Sequence, residues 1–208
     1  MGIASAPPAT ASHGELALLL AGGVANVACD VAGWPNFPVV LGAGLAWAVL
    51  LLRRIRREPG VLRRWGFRTD TLAPAALAVG IFTAAVSAGA WLWASSHGTL
   101  PPPSGFWLVL AAYPIWGLAQ QFLFNALLLR NLRALLPAPG ALGLAAALFA
   151  AAHLPDLPVA VLVLPAALVW GAVYLRWPNL WALGVGHGVV GTLTYYLLLA
   201  RDPLAVLR

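Results

Sequence analysis

The chain has 208 residues, of which 62% are hydrophobic and only 9% are charged, and its mean hydropathy is +0.86. Soluble domains are about half apolar and about one quarter charged, so this composition excludes an ordinary soluble domain and predicts an integral membrane protein. The net charge of +6 comes from arginines beside apolar segments, a pattern typical of membrane topology and not of nucleic-acid binding. A single cysteine, Cys29, excludes an intramolecular disulfide and a cysteine-based metal site.

The apolar segments predict a single bundle of membrane helices. Residues 1–13 are rich in Ala, Ser and Pro and are expected to form a flexible tail, and residues 14–208 are expected to form one transmembrane domain. Each span needs about 20 apolar residues. The predicted spans are 16–34, 37–52, 72–95, 106–133, 139–153, 157–175 and 180–200. The expected fold class is therefore an all-α polytopic membrane helix bundle of about six to seven spans.

The arginines predict the orientation of the bundle. Seven of them lie between Arg53 and Arg68, directly after the second span. Because basic residues mark cytoplasmic loops, the arginine-rich loop 53–68 is expected in the cytoplasm, and the expected location is the bacterial inner (cell) membrane. Under this topology Arg201 and Arg208 fall on the outer side, a conflict that a re-entrant segment would remove. The exact number of spans therefore stays open at the sequence level.

Three amide side chains interrupt the apolar fourth span. Gln120, Gln121 and Asn125 lie in the stretch AAYPIWGLAQQFLFNALLLRNLRALL at residues 111–136. A polar amide in an apolar span costs free energy unless something hydrogen-bonds it, so these residues mark either a functional site or satisfied packing. In an α-helix Gln121 and Asn125 share one face, and Gln120 lies about 100° around the axis.

Two histidines lie in later spans. His153 follows Phe149 by four residues, and His187 lies in a glycine-flanked part of the last span. Three helices thus each supply hydrogen-bonding groups, which predicts a polar pocket that they share. The alternative, in which each polar residue is a satisfied packing residue, stays open.

The order of three segments resembles the core motifs of the CPBP (ABI) family, the type II CAAX prenyl protease-like intramembrane endopeptidases. The segments are QQFLFNALLLR, LFAAAHLP and YLRWPNLWALGVGH, within residues 106–200. Members of that family typically show Glu-Glu-x-x-x-Arg, then Phe-x-x-x-His, then a His followed by Asn four residues later. The resemblance implies a CAAX prenyl protease type II-like core over about residues 106–200.

The resemblance can be carried over residue by residue. Phe149 and His153 match the second motif, and His187 matches the third. Gln120 and Gln121 stand at the two glutamate positions, and Asn125 stands at the arginine position. Gly191 stands at the asparagine position. The resemblance implies that the catalytic positions are His153, His187, Gln120 and Gln121. It implies that the substrate-binding positions are Asn125 and Phe149.

The implied mechanism depends on a group that this chain has replaced. In the family a glutamate and the histidines activate a water that attacks a peptide carbonyl, and histidine and asparagine side chains stabilise the oxyanion. A glutamine has no proton affinity near neutral pH, so Gln120 and Gln121 cannot act as the general base and can only orient a water or a substrate amide. Amides stand at both glutamate positions and at the arginine position of the family motif. Because charge balance and polarity are both kept, these replacements indicate a neutral, polar pocket.

The cofactor stays unknown from the sequence. Metal dependence is compatible with the family, but a catalytic zinc takes three protein ligands, and His153 and His187 without carboxylates form a weak metal site. Asp156 could supply a third ligand if the helix continued beyond Pro155.

Three functions remain open at the sequence level. The first is an intramembrane endopeptidase that acts on membrane-embedded or prenylated peptides with His153 or His187 as the base. The second is a catalytically inactive pseudo-protease that binds lipid or peptide. The third is an altered enzyme that acts on isoprenoid-like lipids. The expected partners are the lipid bilayer and a lipidated or transmembrane peptide or an isoprenoid lipid, with no nucleic acid.

Overall fold

The computed structural model describes residues 12–35 and 37–203. Every regular element in this part of the chain is helical. The elements are α1 (His13–Ala32), α2 (Phe37–Arg57), α3 (Val61–Trp65), α4 (Leu72–His97), α5 (Gly105–Gln121), a π-helix (Phe122–Leu129), α6 (Arg130–Arg133), α7 (Ala138–Ala151), α8 (Leu157–Arg176), α9 (Leu180–Leu193) and a second π-helix (Thr194–Leu198). The predicted tail lies outside the described residues except for Ser12 and His13, and α1 begins at His13.

Five of these helices are long and apolar enough to cross a membrane. They are His13–Ala32, Phe37–Arg57, Leu72–His97, Gly105–Arg133 and Leu157–Arg176. The other two predicted spans are not among these five. Predicted span 139–153 corresponds to α7, whose 14 residues are too short for a bilayer core of about 30 Å at about 1.5 Å per residue. Predicted span 180–200 corresponds to α9, which continues directly into the second π-helix. The predicted all-α membrane bundle is confirmed, and the protein is an integral membrane protein.

The arginine-rich segment is more helical than a loop prediction assumes. Helix α2 continues through the first arginines to Arg57, and α3 covers Val61–Trp65. Cationic side chains in the last turn of a helix are stabilised by the partial negative charge of its carbonyl end, which explains why α2 extends beyond its apolar part. The cytoplasmic orientation of this segment stays a prediction.

The chain divides into two compact units. Unit 1 comprises Met1–Phe67 and Leu123–Arg176, and unit 2 comprises Arg68–Phe122 and Trp177–Arg208. Within unit 1 the main packing is between α7 and α8, with α1 against α2. Within unit 2, α9 packs against both α5 and α4.

A polar network in unit 1 connects the start of α1 to α2 and α6. Glu15 forms an ion pair with Arg54, and Arg54 Nε donates to Glu58 Oε1 at 3.0 Å. Asn131 Nδ2 donates to Glu15 Oε2 at 2.9 Å, and Asn131 Oδ1 accepts from the Ser12 backbone N–H at 2.6 Å. These bonds fix the N-terminal end of α1, a helix that buries none of its own residues inside the protein.

Glycines bring α5 and α9 of unit 2 into direct backbone contact. A Cβ atom on Gly117 would lie 2.6 Å from the Gly184 carbonyl oxygen and 2.9 Å from the Gly188 nitrogen. A Cβ on Gly188 would lie 2.6 Å from Pro114 Cα, and one on Gly184 would lie 2.8 Å from Leu118 Cα. Close approach through small residues is the usual way in which membrane helices gain packing energy, because lipid supplies no hydrophobic driving force between them.

The start of α9 is fixed by one buried asparagine. Asn179 Oδ1 accepts from the Ala182 backbone N–H at 3.1 Å and caps the helix. Asn179 Nδ2 donates to the Arg68 carbonyl at 2.7 Å. Because the side chain is fully buried, both bonds form away from water, and they set the depth at which α9 begins.

Candidate functional site

One hydrogen bond in unit 2 joins two of the predicted site residues. Gln121, the last residue of α5, is fully buried, and His187 on α9 is 5% exposed. Gln121 Nε2 lies 2.9 Å from His187 Nδ1. An amide nitrogen only donates, so His187 Nδ1 accepts and the neutral imidazole carries its proton on Nε2. The structure therefore makes His187 a hydrogen-bond donor at Nε2.

The glycines around the pair explain how the two side chains reach each other. A Cβ on Gly117 would lie 3.2 Å from His187 Cβ. Gly117 lies one helical turn before Gln121, and His187 is flanked by Gly186 and Gly188. Without side chains at these positions the α9 backbone approaches α5, and the imidazole comes within bonding distance of the amide.

Two further polar atoms in unit 2 are shielded from solvent without a protein partner. Neither Gln120 Oε1 nor Thr83 Oγ1 forms a hydrogen bond with any residue that the structure describes. Thr83 lies beside Gly186, the residue that precedes His187, because a Cβ on Gly186 would lie 3.2 Å from Thr83 Oγ1. A buried polar atom without a partner costs about 1–3 kcal/mol, so such atoms are expected where a ligand or a water binds.

Sequence reasoning did not find Thr83. Its hydroxyl interrupts the apolar sequence of α4, a membrane span, and this is the same signal that led to the amides of the fourth span. A single threonine is a weak signal, because its hydroxyl can bond a carbonyl of its own helix. Only its position beside Gly186 connects it to the histidine.

The other predicted histidine is oriented by its own motif in unit 1. His153 lies just beyond the end of α7, and its Nδ1 is 2.8 Å from the Phe149 carbonyl oxygen. A carbonyl only accepts, so Nδ1 carries the proton and Nε2 carries the lone pair. The imidazole packs edge-on against the Phe149 ring with centroids 5.1 Å apart, and Phe149 stacks on Phe124 at 4.7 Å. The spacing of Phe149 and His153 thus fixes both the tautomer and the ring plane.

Burial determines the charge of His153. It lowers the pKa of His153, and the hydrogen bond to the Phe149 carbonyl and the charge of Asp156 oppose that shift. Burial therefore favours the neutral form of the imidazole. In this tautomer Nε2 is the ring nitrogen that can take up a proton, because it carries the lone pair.

Asn125 lies in unit 1 and is fully buried. It belongs to the π-helix Phe122–Leu129, whose hydrogen bonds run from residue i to residue i+5. The prediction that Gln121 and Asn125 share a face assumed α-helical geometry, whereas the helix is of the π type from Phe122 to Leu129. π-Helical turns inside α-helices occur frequently at functional sites.

The described residues do not fit a catalytic zinc ion. No three His, Cys, Asp or Glu side chains come together in the described ranges. Asp156, the candidate third ligand, accepts from the Val159 backbone N–H at 3.4 Å and caps the start of α8. A zinc site in a hydrolase takes three protein ligands, and the two histidines alone are too few.

The comparison with known families places the motifs within one region. The profile of the family described as type II CAAX prenyl endopeptidase Rce1-like matches residues 101–193, a range that includes all three motifs. Comparison with curated proteins and with solved structures gave no match. The resemblance predicted from the motifs is confirmed by this match, and this integral membrane protein is similar to the type II CAAX prenyl endopeptidase Rce1-like family over residues 101–193.

Proposed function

We propose that this protein binds a membrane-embedded or prenylated peptide in its Rce1-like region and holds it through neutral hydrogen bonds without cleaving it. The observation that carries this proposal is the bond from Gln121 Nε2 to His187 Nδ1. The amide occupies a position that the family resemblance assigns to a catalytic glutamate. An amide takes up no proton near neutral pH, so the pair cannot activate a water in the way that a carboxylate does.

Two buried polar groups suit the binding of a peptide bond. The buried Gln120 Oε1 can accept from a peptide N–H. The Thr83 hydroxyl can accept or donate. Hydrogen bonds are electrostatically stronger at low dielectric, so a few well-placed neutral groups are sufficient to hold a peptide that carries no charge.

The surroundings of these groups suit a ligand that arrives from the lipid phase. Helices α4 and α5 expose large apolar side chains, among them Leu77, Ile81, Trp107 and Ile115. On a membrane protein such surfaces face lipid, where prenyl chains and transmembrane segments dissolve. A prenylated peptide or a transmembrane segment is therefore preferred over a water-soluble peptide.

One observation favours a second candidate function, an intramembrane endopeptidase that uses His153 as the general base. The bond from Nδ1 to the Phe149 carbonyl leaves Nε2 as the nitrogen whose lone pair can accept a proton.

One assay separates the two candidates. The purified protein in lipid nanodiscs is titrated with a fluorescent prenylated peptide and with a transmembrane peptide, and each mixture is then analysed by mass spectrometry. We expect saturable binding and intact peptides. Cleavage by the wild type that is lost in His153→Ala would overturn the binding proposal in favour of the endopeptidase. Absence of both binding and cleavage would overturn both, and competition by a prenyl alcohol alone would favour an isoprenoid ligand.

A further inference from the structure

The volume beside Gly191 is filled by the ring of Tyr113. The resemblance implies an asparagine four residues after the histidine, and this chain has Gly191 at that position. A Cβ on Gly191 would collide with Tyr113 Cε1, would lie 3.1 Å from Cδ1 and would lie 3.6 Å from Cζ. The phenol of α5 therefore occupies the space into which a side chain at position 191 would extend.

Tyr113 belongs to the row of α5 residues that faces α9. Tyr113, Gly117 and Gln121 are spaced by four residues and lie along one face of the helix. Gly117 contacts the α9 backbone, and Gln121 bonds His187. The phenol and the amide thus lie one turn to either side of the closest approach between the two helices. They contact α9 at Gly191 and His187, which are themselves one turn apart.

The phenol is held in place, but its hydroxyl is not used within the protein. The Tyr113 ring packs edge-on against the Tyr195 ring, with centroids 6.4 Å apart and an interplanar angle of 89°. The side chain is half-buried, and its hydroxyl forms no hydrogen bond with any other residue in the described part of the chain. A fixed donor without an internal partner is suited to a ligand.

We propose that the Tyr113 hydroxyl, held beside Gly191, donates a hydrogen bond to a carbonyl oxygen of the bound peptide. This inference rests on the proposed function, because it places Tyr113 in the same peptide-binding site. Tyr113 is a binding residue here, one helical turn from the closest approach of α5 and α9. A glycine at position 191 is then a requirement, because any larger residue would displace the phenol.

The test measures binding of the prenylated peptide to Tyr113→Phe. This substitution removes one oxygen and keeps the ring that packs against Gly191 and Tyr195. We expect affinity to fall about threefold to tenfold, the usual effect of losing one neutral hydrogen bond, while the melting temperature stays unchanged. Wild-type binding together with unchanged affinity in Tyr113→Phe would overturn this inference alone. Absence of binding in the wild type would overturn the proposed function.

A reciprocal exchange distinguishes a hydrogen-bonding role from a packing role. Tyr113→Ala should lose affinity, and the double variant Tyr113→Ala with Gly191→Asn should regain it, because the asparagine then has both the space and the amide donor. As a control, Tyr113→Ala with Gly191→Leu refills the space without a donor and should stay weak. Equal recovery by asparagine and leucine would show that Tyr113 only fills space and would overturn the inference.

Discussion

Gln121→Leu is expected to lower the free energy of unfolding by about 1–3 kcal/mol, whereas Gln120→Leu is expected to leave it unchanged or to raise it. Gln121 is fully buried and donates to His187 Nδ1 at 2.9 Å, so its loss leaves a buried imidazole nitrogen without that donor. Gln120 Oε1 is buried without a partner among the described residues, so replacing it removes an unfavourable group. Unfolding in detergent solution, followed by circular dichroism, measures both.

Gln120→Leu, which is not expected to reduce stability, is nevertheless expected to weaken peptide binding. If Gln120 Oε1 accepts from a peptide N–H, Gln120→Leu weakens binding about tenfold although the protein is no less stable. A peptide with the relevant amide replaced by an ester lacks that N–H and should bind wild type and Gln120→Leu alike. Equal stability losses for the two glutamine variants, or a constant tenfold effect with the ester, would contradict the assignment.

Gly188→Ala is expected to be among the most destabilising single-methyl additions in unit 2. Its Cβ would lie 2.5 Å from the nitrogen and 2.6 Å from the Cα of Pro114, and backbone atoms cannot rotate away as a side chain can. Overpacking of this kind costs up to about 3 kcal/mol, and here it would also separate His187 from Gln121. Thermal unfolding of the purified protein measures the loss, and peptide binding should be lost with it.

Gly80→Ala is the matched control. Gly80 lies inside α4 of the same unit, and a Cβ there would meet nothing within 4 Å. Because alanine favours a helix over glycine by about 0.5–1 kcal/mol, this variant should be as stable as the wild type or more stable. If Gly188→Ala also unfolds at the wild-type temperature, the close backbone contact between α5 and α9 is not what positions the site.

The sequence was sufficient to predict the class of fold and the residues worth examining. Composition and apolar segment lengths predict membrane helices, because the bilayer thickness sets one physical requirement for all of them. Polar residues in such segments are few, so Gln121 and His187 could be identified before their contact was known. Their pairing across 66 residues was expected only as part of a shared pocket, and the geometry adds which nitrogen donates and which accepts.

Other features could not be predicted from the pattern. The π-helix Phe122–Leu129 is apolar almost throughout, and an apolar segment shows no periodicity that separates an α-helix from a π-helix. The cap role of Asp156 depends on where α8 begins, which two nearby prolines left ambiguous. The loss of the asparagine at Gly191 is visible in the sequence, but its replacement by the Tyr113 ring is a contact between two helices.

The most direct test of peptide retention without cleavage is a cross-linking measurement. A prenylated peptide with a photoreactive diazirine beside its central amide is incubated with the protein in nanodiscs, irradiated, and analysed as the intact adduct and after digestion. We predict an adduct with the full mass of the peptide, attached within α5 or α9, and much less of it in Gly188→Ala. An adduct that carries a truncated peptide, or attachment confined to helices other than α4, α5 and α9, would contradict the proposal.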